Sequence, residues 1–199
     1  MLYISKAEFR GSKAAYKKEL HGLAYRSLYK ALGAEYKIDV EQAEYIYNEH
    51  GKPYFRSFPN IYFSISHCQG LAVTAVSDFE NGVDVEVIRD YPERVVSRSF
   101  SKREKELLES CEDKNMMFFR MWTLKESFVK ALGIGISYPL KTAEFLIFKD
   151  EINAFGCDGY SFIQYIFSDG YVCSLCTKDA EENKVYYIGS SADKLILPV

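Results

Sequence analysis

The sequence has no apolar run near the roughly 20 residues that a membrane-spanning helix needs. Its first residues, MLYISKAEFR, carry neither the apolar stretch nor the small-residue cleavage site of a secretory leader. A cytoplasmic protein with no membrane partner is therefore expected. Positive charge is not in excess either: 25 Lys and Arg against 28 Asp and Glu leave a net charge of −3. That balance argues against general nucleic-acid binding, which needs a basic surface to displace counterions from phosphates. Any anionic ligand has to be met by local cations. Three histidines are too few to suggest a polyhistidine zinc site. Five cysteines, an odd number, suit a reducing compartment better than a disulfide framework. Cys173 and Cys176 form a CxxC within YVCSLCT, but the pattern is that of a strand, and there is no second pair to complete a metal site. No segment has low complexity or the composition of a linker.

What is present can fold. The chain of 199 residues is 48% hydrophobic and 16% aromatic, enough for one large domain or two small ones sharing an interface. Alternating patterns predict strands at residues 3–9, 61–66, 71–77 and 83–88, the last three as an antiparallel meander turning at Cys68-Gln69-Gly70 and Asn81-Gly82. A helix is expected from Ser12 to Leu32, ended by Gly33, and a shorter one from Val40 to Asn48. In the second half, Ser101 with Glu104 three residues on reads as a capping box opening a helix. A further helix over 115–132 stops at Gly133, and strands follow at 143–149, 160–167, 171–177 and 184–189. The order strand, helices, strands thus occurs twice. An α+β fold of two similar halves is expected, divided as residues 1–80 and 81–199 with the metal site in the second.

Chemistry concentrates at four places. In Val83-Asp84-Val85-Glu86-Val87 the valines share one face of a strand while Asp84 and Glu86 share the other, about 7 Å apart. A hard cation such as Mg²⁺ would relieve their repulsion; an ordinary solvated strand face is the alternative. In the 118–132 helix, an apolar stripe of Phe118, Met121, Trp122, Phe128, Val129 and Leu132 is flanked by Glu126 and Lys130, one turn apart. That pair is either a surface ion pair or a third carboxylate with a phosphate-binding ammonium. Ser64-Ile65-Ser66-His67 ends a strand, where His67 and Ser66 can donate to phosphate oxygens or simply close a turn. Gly51-Lys52-Pro53 presents one lysine and is not a nucleotide-binding loop, since a P-loop needs GxxxxGK[ST] at a helix start.

In this order, GKP (51–53), FSISH (63–67), GVDVE (82–86) and WTLKESFVKALG (122–133) strongly resemble the 4′-phosphopantetheinyl transferases of the Sfp type. The resemblance covers about residues 51–140, with a fainter match where Lys17 and Arg26 fall near basic positions of the family. It implies a fold of two α+β halves related by a pseudo-twofold. It also implies Mg²⁺-dependent transfer of the phosphopantetheine arm of coenzyme A to a serine of an apo acyl or peptidyl carrier protein. Adenosine 3′,5′-bisphosphate would be released. By resemblance, Asp84, Glu86 and Glu126 are the metal ligands. Lys130 holds or protonates the leaving side, and His67, Ser66, Lys52, Lys130 and Lys17 contact coenzyme A. Glu126 is also the candidate to take the serine proton, so Glu126 and Lys130 are the catalytic pair. Trp122 is expected to support the helix, and Lys125 to point away from the site into the stripe. Part of the cluster Met116, Met117, Phe118 and Phe119 is expected to meet the carrier, with plain core packing the equal alternative. A monomer is expected, since short trimeric holo-acyl-carrier synthases have about half this length. The rival from another class is a binding module that keeps the fold without catalysis.

Overall fold

In the computed structural model, residues 1–6, 12–149, 151–178, 185–188 and 195–196 are described. The first half runs β1 (Leu2–Lys6), α1 (Lys13–Ala31), then a hairpin of β2 (Tyr45–Tyr47) and β3 (Pro53–Phe55), then β4 (Tyr62–Cys68) and β5 (Leu71–Ser77). The second repeats that order with β6 (Asn81–Val87), α2 (Glu93–Ser99), α3 (Lys102–Ser110), α4 (Lys114–Leu132), a hairpin of β7 (Glu144–Phe148) and β8 (Glu151–Phe155), then β9 (Ser161–Phe167) and β10 (Tyr171–Thr177). Two short strands follow, β11 (Val185–Ile188) and β12 (Leu195–Ile196). The α+β fold of two similar halves is thus present. No helix among the described residues is long and apolar enough to cross a membrane.

The strands form two four-stranded sheets, ordered β11-β1-β5-β4 and β12-β9-β10-β6. Residue 80 lies between β5 and β6, which belong to different sheets, while β11, from the end of the chain, pairs in parallel with β1. Leu2, Ile4, Leu71 and Val73 of the first sheet pack on Val83, Val85, Phe167 and Leu175 of the second, making a shared apolar core. Val83 and Val85 of β6 turn into this core, leaving Gly82, Asp84 and Glu86 on the opposite face. α4 lies over that face; α1 covers the first sheet with Leu28 and Ala31, joined by Leu32 just beyond its end.

Local sequence explains most element ends. Ser12 caps α1 by accepting from the Ala15 amide, and Ser101 and Glu104 complete their capping box on α3. α4 opens on the Asp113 carboxylate, which accepts from the Met116 amide, and closes on Gly133 at φ 70°, a left-handed cap that glycine adopts without strain.

Other expectations need correction. Gly33 does not end the first helix, whose backbone continues as a π-turn over Leu32–Tyr36 to a left-handed Lys37. The helix expected over Val40–Asn48 is only a 3₁₀ turn at Val40–Gln42, followed by β2, because Tyr-Ile-Tyr favours an extended chain beside β3. β6 leaves the meander: it pairs with β10, not β5. Nor is Asn81-Gly82 a turn. It is the first residue pair of β6, and Asn81 steadies the preceding loop by donating to the Phe79 and Tyr62 carbonyls. The expected single apolar stripe of α4 is also too narrow, for between Phe118 and Ala131 every residue is buried except Trp122, Glu126 and Lys130. Phe118 and Phe119 are each 1% exposed and pack in the core beneath α2 and α3, so they are unavailable to a carrier; Met116 and Met117 are only partly covered. Cys173 and Cys176 enter different cores on opposite faces of β10, which rules them out as a chelating pair.

Gly82 sets the spacing of the two elements that carry the site. A Cβ at this position would lie 2.0 Å from the Ser127 carbonyl oxygen and 2.3 Å from the Ala131 amide. Backbone of α4 cannot yield as a side chain can. Gly82→Ala is expected to cost about 3 kcal/mol or more, measured as a fall in urea midpoint. A midpoint equal to that of the parent protein would show that α4 is free to shift.

Candidate active site

The three half-exposed positions between Phe118 and Ala131, namely Trp122, Glu126 and Lys130, are four residues apart and form one seam along α4. With Gly82 permitting close approach, that seam meets the polar face of β6. Lys130 Nζ donates to Asp84 Oδ1 at 2.7 Å, to Ser66 Oγ at 2.9 Å and to the Val83 carbonyl at 3.0 Å. Ser66 Oγ in turn donates to Asp84 Oδ1 at 2.8 Å. Ser66 reaches Asp84 because β4 and β6 join through side chains in place of a backbone ladder: Ser64 Oγ accepts from the Val83 amide at 3.0 Å, and Ser66 Oγ lies 3.4 Å from the Val85 amide. The two serines of FSISH therefore stitch one half of the molecule to the other.

Asp84 is 6% exposed, and its Oδ2 is buried without a hydrogen-bond partner. An anionic oxygen left so is costly unless an ion or ligand completes it. Glu86 and Glu126 stand close enough to feel Asp84 and each other. Burial pushes the Glu126 carboxyl up to about 7, with Asp84 and Glu86 adding to the shift and Lys130 opposing it. Burial also raises Glu86, against the pull of Arg89, whose guanidinium donates to Glu86 at 2.8 Å. Three carboxylates thus share two cations. They are not a finished cage, however: among the described residues no three carboxylate, imidazole or thiol groups stand in metal-holding proximity.

Two cavities flank this cluster. One, of about 430 Å³, is walled by Lys52, Phe63, Trp122, Glu126, Val129 and Lys130. The other, of about 800 Å³, lies between α1 and the end of β4, walled by Tyr16, Lys17, Leu20, His67, Cys68 and Gln69. Lys17 and His67, 50 positions apart in sequence, thus share one cavity. Burial lowers the His67 imidazole below its usual range, and His21, Lys130 and Lys17 repel its proton further. The charges of Lys17 and Lys130 beside an imidazole that can donate suit an anion. His21, whose ring lies 6.2 Å from that of His67, escaped the sequence reading; its signal was the spacing of four from Lys17, which puts both on one helix face. Arg26, nine positions beyond Lys17, falls about half a turn round the helix and is exposed.

Two lysines of the motifs face inward. Lys125 is wholly buried, paired with Glu104 at 2.8 Å, and bonded to the Leu140 and Ala143 carbonyls, outside the site as expected. Lys52 lines a cavity, but its ammonium donates to the Ala131 carbonyl at 2.8 Å and the Asn81 carbonyl at 3.2 Å. Two backbone carbonyls thus meet the ammonium that the resemblance assigns to coenzyme A. Trp122 supports α4 by stacking on Phe118, and it also walls the first cavity beside Glu126.

The family model of the 4′-phosphopantetheinyl transferase superfamily matches residues 80–176, which contain all three carboxylates and Lys130. The chain is 35% identical over 109 residues to the 4′-phosphopantetheinyl transferase psf-1 of Bacillus pumilus, covering 54% of this chain and 47% of that protein. It is 30% identical over 121 residues to Sfp of Bacillus subtilis (strain 168), covering 60% and 54% respectively. These matches span about half the length of those relatives. A longer one, 31% identical over 169 residues, reaches gsp of Aneurinibacillus migulanus and covers 77% of this chain and 69% of that protein. With the doubled α+β order and the joined β6–α4 motifs, these similarities show that the chain belongs to the Sfp-type 4′-phosphopantetheinyl transferase family.

Proposed function

We propose that the protein transfers the phosphopantetheine arm of coenzyme A to a serine hydroxyl of an apo acyl or peptidyl carrier protein, acting in the cytoplasm as a monomer. The observation that carries this reading is the buried cluster of Asp84, Ser66 and Lys130, flanked by Glu86 and Glu126 and lying between two cavities. Coenzyme A carries a central pyrophosphate between two large ends and a further phosphate on its ribose, and this layout suits it. Lys17 and His67 are assigned to phosphate oxygens on the α1 side. Lys130 and Ser66 are assigned to the central phosphates.

The donor set fits Mg²⁺, since hard cations take carboxylate oxygens together with water and phosphates; the unpartnered Oδ2 of Asp84 and the raised carboxyls of Glu86 and Glu126 are what a cation would relieve. When bound to Asp84, Glu86 and Glu126, it would supply charge neutralisation on the pyrophosphate. The serine oxygen forms a bond to the phosphorus next to the pantetheine arm, and the pyrophosphate P–O bond on its other side breaks, releasing adenosine 3′,5′-bisphosphate. Glu126 accepts the serine proton. Lys130 holds the leaving phosphate and can neutralise its growing charge.

Intact protein mass spectrometry tests this directly. An apo-carrier panel incubated with the protein, coenzyme A and Mg²⁺ should gain the mass of one arm per carrier, and chelation of the metal should stop the gain. If coenzyme A binds but no carrier in the panel is modified, the binding-module reading replaces this one.

A further inference from the structure

The lysine of GKP has the surroundings of an internal fastener. Its Nζ sits at the C-terminal end of α4, donating to the Ala131 carbonyl at 2.8 Å, and bridges to the Asn81 carbonyl at 3.2 Å, where β6 begins. The last carbonyls of a helix have no partner within it and carry the negative end of its dipole. An ammonium there satisfies both needs. Four residues earlier, Asn48 Nδ2 donates to the Gly133 carbonyl at 2.7 Å, on the cap residue of the same helix. Asn48 Oδ1 meanwhile accepts from the His50 and Lys52 amides at 3.0 and 2.8 Å, holding the turn between β2 and β3 in shape.

Packing at Gly133 is correspondingly tight. A Cβ there would lie 2.7 Å from Lys52 Cδ and 3.2 Å from Asn48 Nδ2. The β2–β3 hairpin and the end of α4 also both line the 430 Å³ cavity, the hairpin with Gly51, Lys52 and Pro53 and the helix and its cap with Glu126, Val129, Lys130 and Gly133. The two hydrogen-bonded links therefore hold two elements of the cavity lining together.

We infer that Lys52 and Asn48 are positioning residues that clamp the β2–β3 hairpin to the C-terminus of α4, setting the cavity wall beside Glu126 and Lys130, and that the Lys52 ammonium does not touch the ligand. The link to coenzyme A rests on the function proposed above; the clamp itself does not. Each variant removes one donor of a bond to a helix-terminal carbonyl.

Lys52→Met and Asn48→Ala are compared with the parent protein in three measurements. Without ligand, melting temperature should fall by on the order of 5 °C in each, and amide exchange should quicken in the last turn of α4. Calorimetric affinity for coenzyme A, measured well below the melting temperature, should weaken about ten-fold in both. Weakened affinity in Lys52→Met with unchanged melting and exchange of the free protein would make Lys52 a direct ligand and overturn the clamp. Lower melting with unchanged affinity would overturn its positioning role. If the parent protein itself fails to bind coenzyme A, the proposed function falls, and the exchange measurement alone decides the clamp.

Discussion

Glu126→Gln should lose about 10²- to 10⁴-fold in transfer rate, the range for removing a positioned proton acceptor, yet melt later than the parent protein at pH 8. Both effects come from one carboxyl. In the fold it titrates at about 7, against an ordinary 4.5, with burial the main cause. The folded state therefore binds this proton more tightly than the unfolded chain does. Its contribution to stability is fully present below pH 4.5 and is lost as pH rises through 7. Above 7 the fold carries a poorly solvated anion beside Asp84.

Glutamine keeps the shape of the protonated acid and never ionises. The advantage of the variant should be near zero at pH 4.5 and reach about 2 to 3 kcal/mol above pH 7.5 without metal. Urea unfolding at pH 4.5, 6 and 8 measures it. Addition of Mg²⁺ at pH 8 should stabilise the parent protein and narrow the gap, since an ion bound only by the fold adds to stability. Transfer near the parent rate, or a stability gap that ignores pH, would remove Glu126 from both assigned roles.

The second large effect lies away from the chemistry. Lys125 and Glu104 are both 0% exposed in their side chains and pair at 2.8 Å. Glu104 also accepts from the Ser101 amide at 2.7 Å and the Phe145 amide at 2.9 Å, so the pair ties α3, α4 and β7 together. Lys125→Met leaves a carboxylate in the core with no countercharge. Breaking a buried pair from one side costs about 3 to 5 kcal/mol, equivalent to a melting temperature lower by on the order of 10 °C in a chain of this size.

The double variant Lys125→Met with Glu104→Gln should recover part of that loss, because the anion is removed while an amide oxygen remains for one backbone donor. Coenzyme A affinity at low temperature should change little in either, since Lys125 faces away from the cavities. A single variant as stable as the parent protein would mean that Glu104 takes up a proton at little cost. Loss of affinity without loss of stability would instead place Lys125 in the site.

Lys52 shows why part of the site's surroundings was hidden. In the sequence it is a cation beside motifs that handle phosphate, and the backbone carbonyls that meet its ammonium are not carried by local pattern. Lys125 was legible, because the helical period alone turns it into the apolar stripe. Asp84 and Glu86 were legible because strand alternation alone puts them on one face opposite the valines. Glu126 and Lys130 were legible because one helical turn joins them. Gly133 announced the end of α4, and the Ser101 and Glu104 box the start of α3, since capping is settled within four residues. Gly82 was misread as a turn residue because its reason for being glycine is the backbone of α4, some 45 positions later in the chain.

By itself, the sequence determined the doubled order of strand, helices and strands, the facing of the β6 carboxylates, the Glu126–Lys130 pair and the family. These depend on period, capping and motif, which act over a few residues. Only the tertiary structure decided that β6 leaves the meander for the second sheet, that Ser66 reaches across the seam to Asp84, that Lys17 and His67 share a cavity, and which lysines remain available to a ligand. Those outcomes depend on which surfaces lose water against each other, and that is set by contacts between segments far apart in the chain.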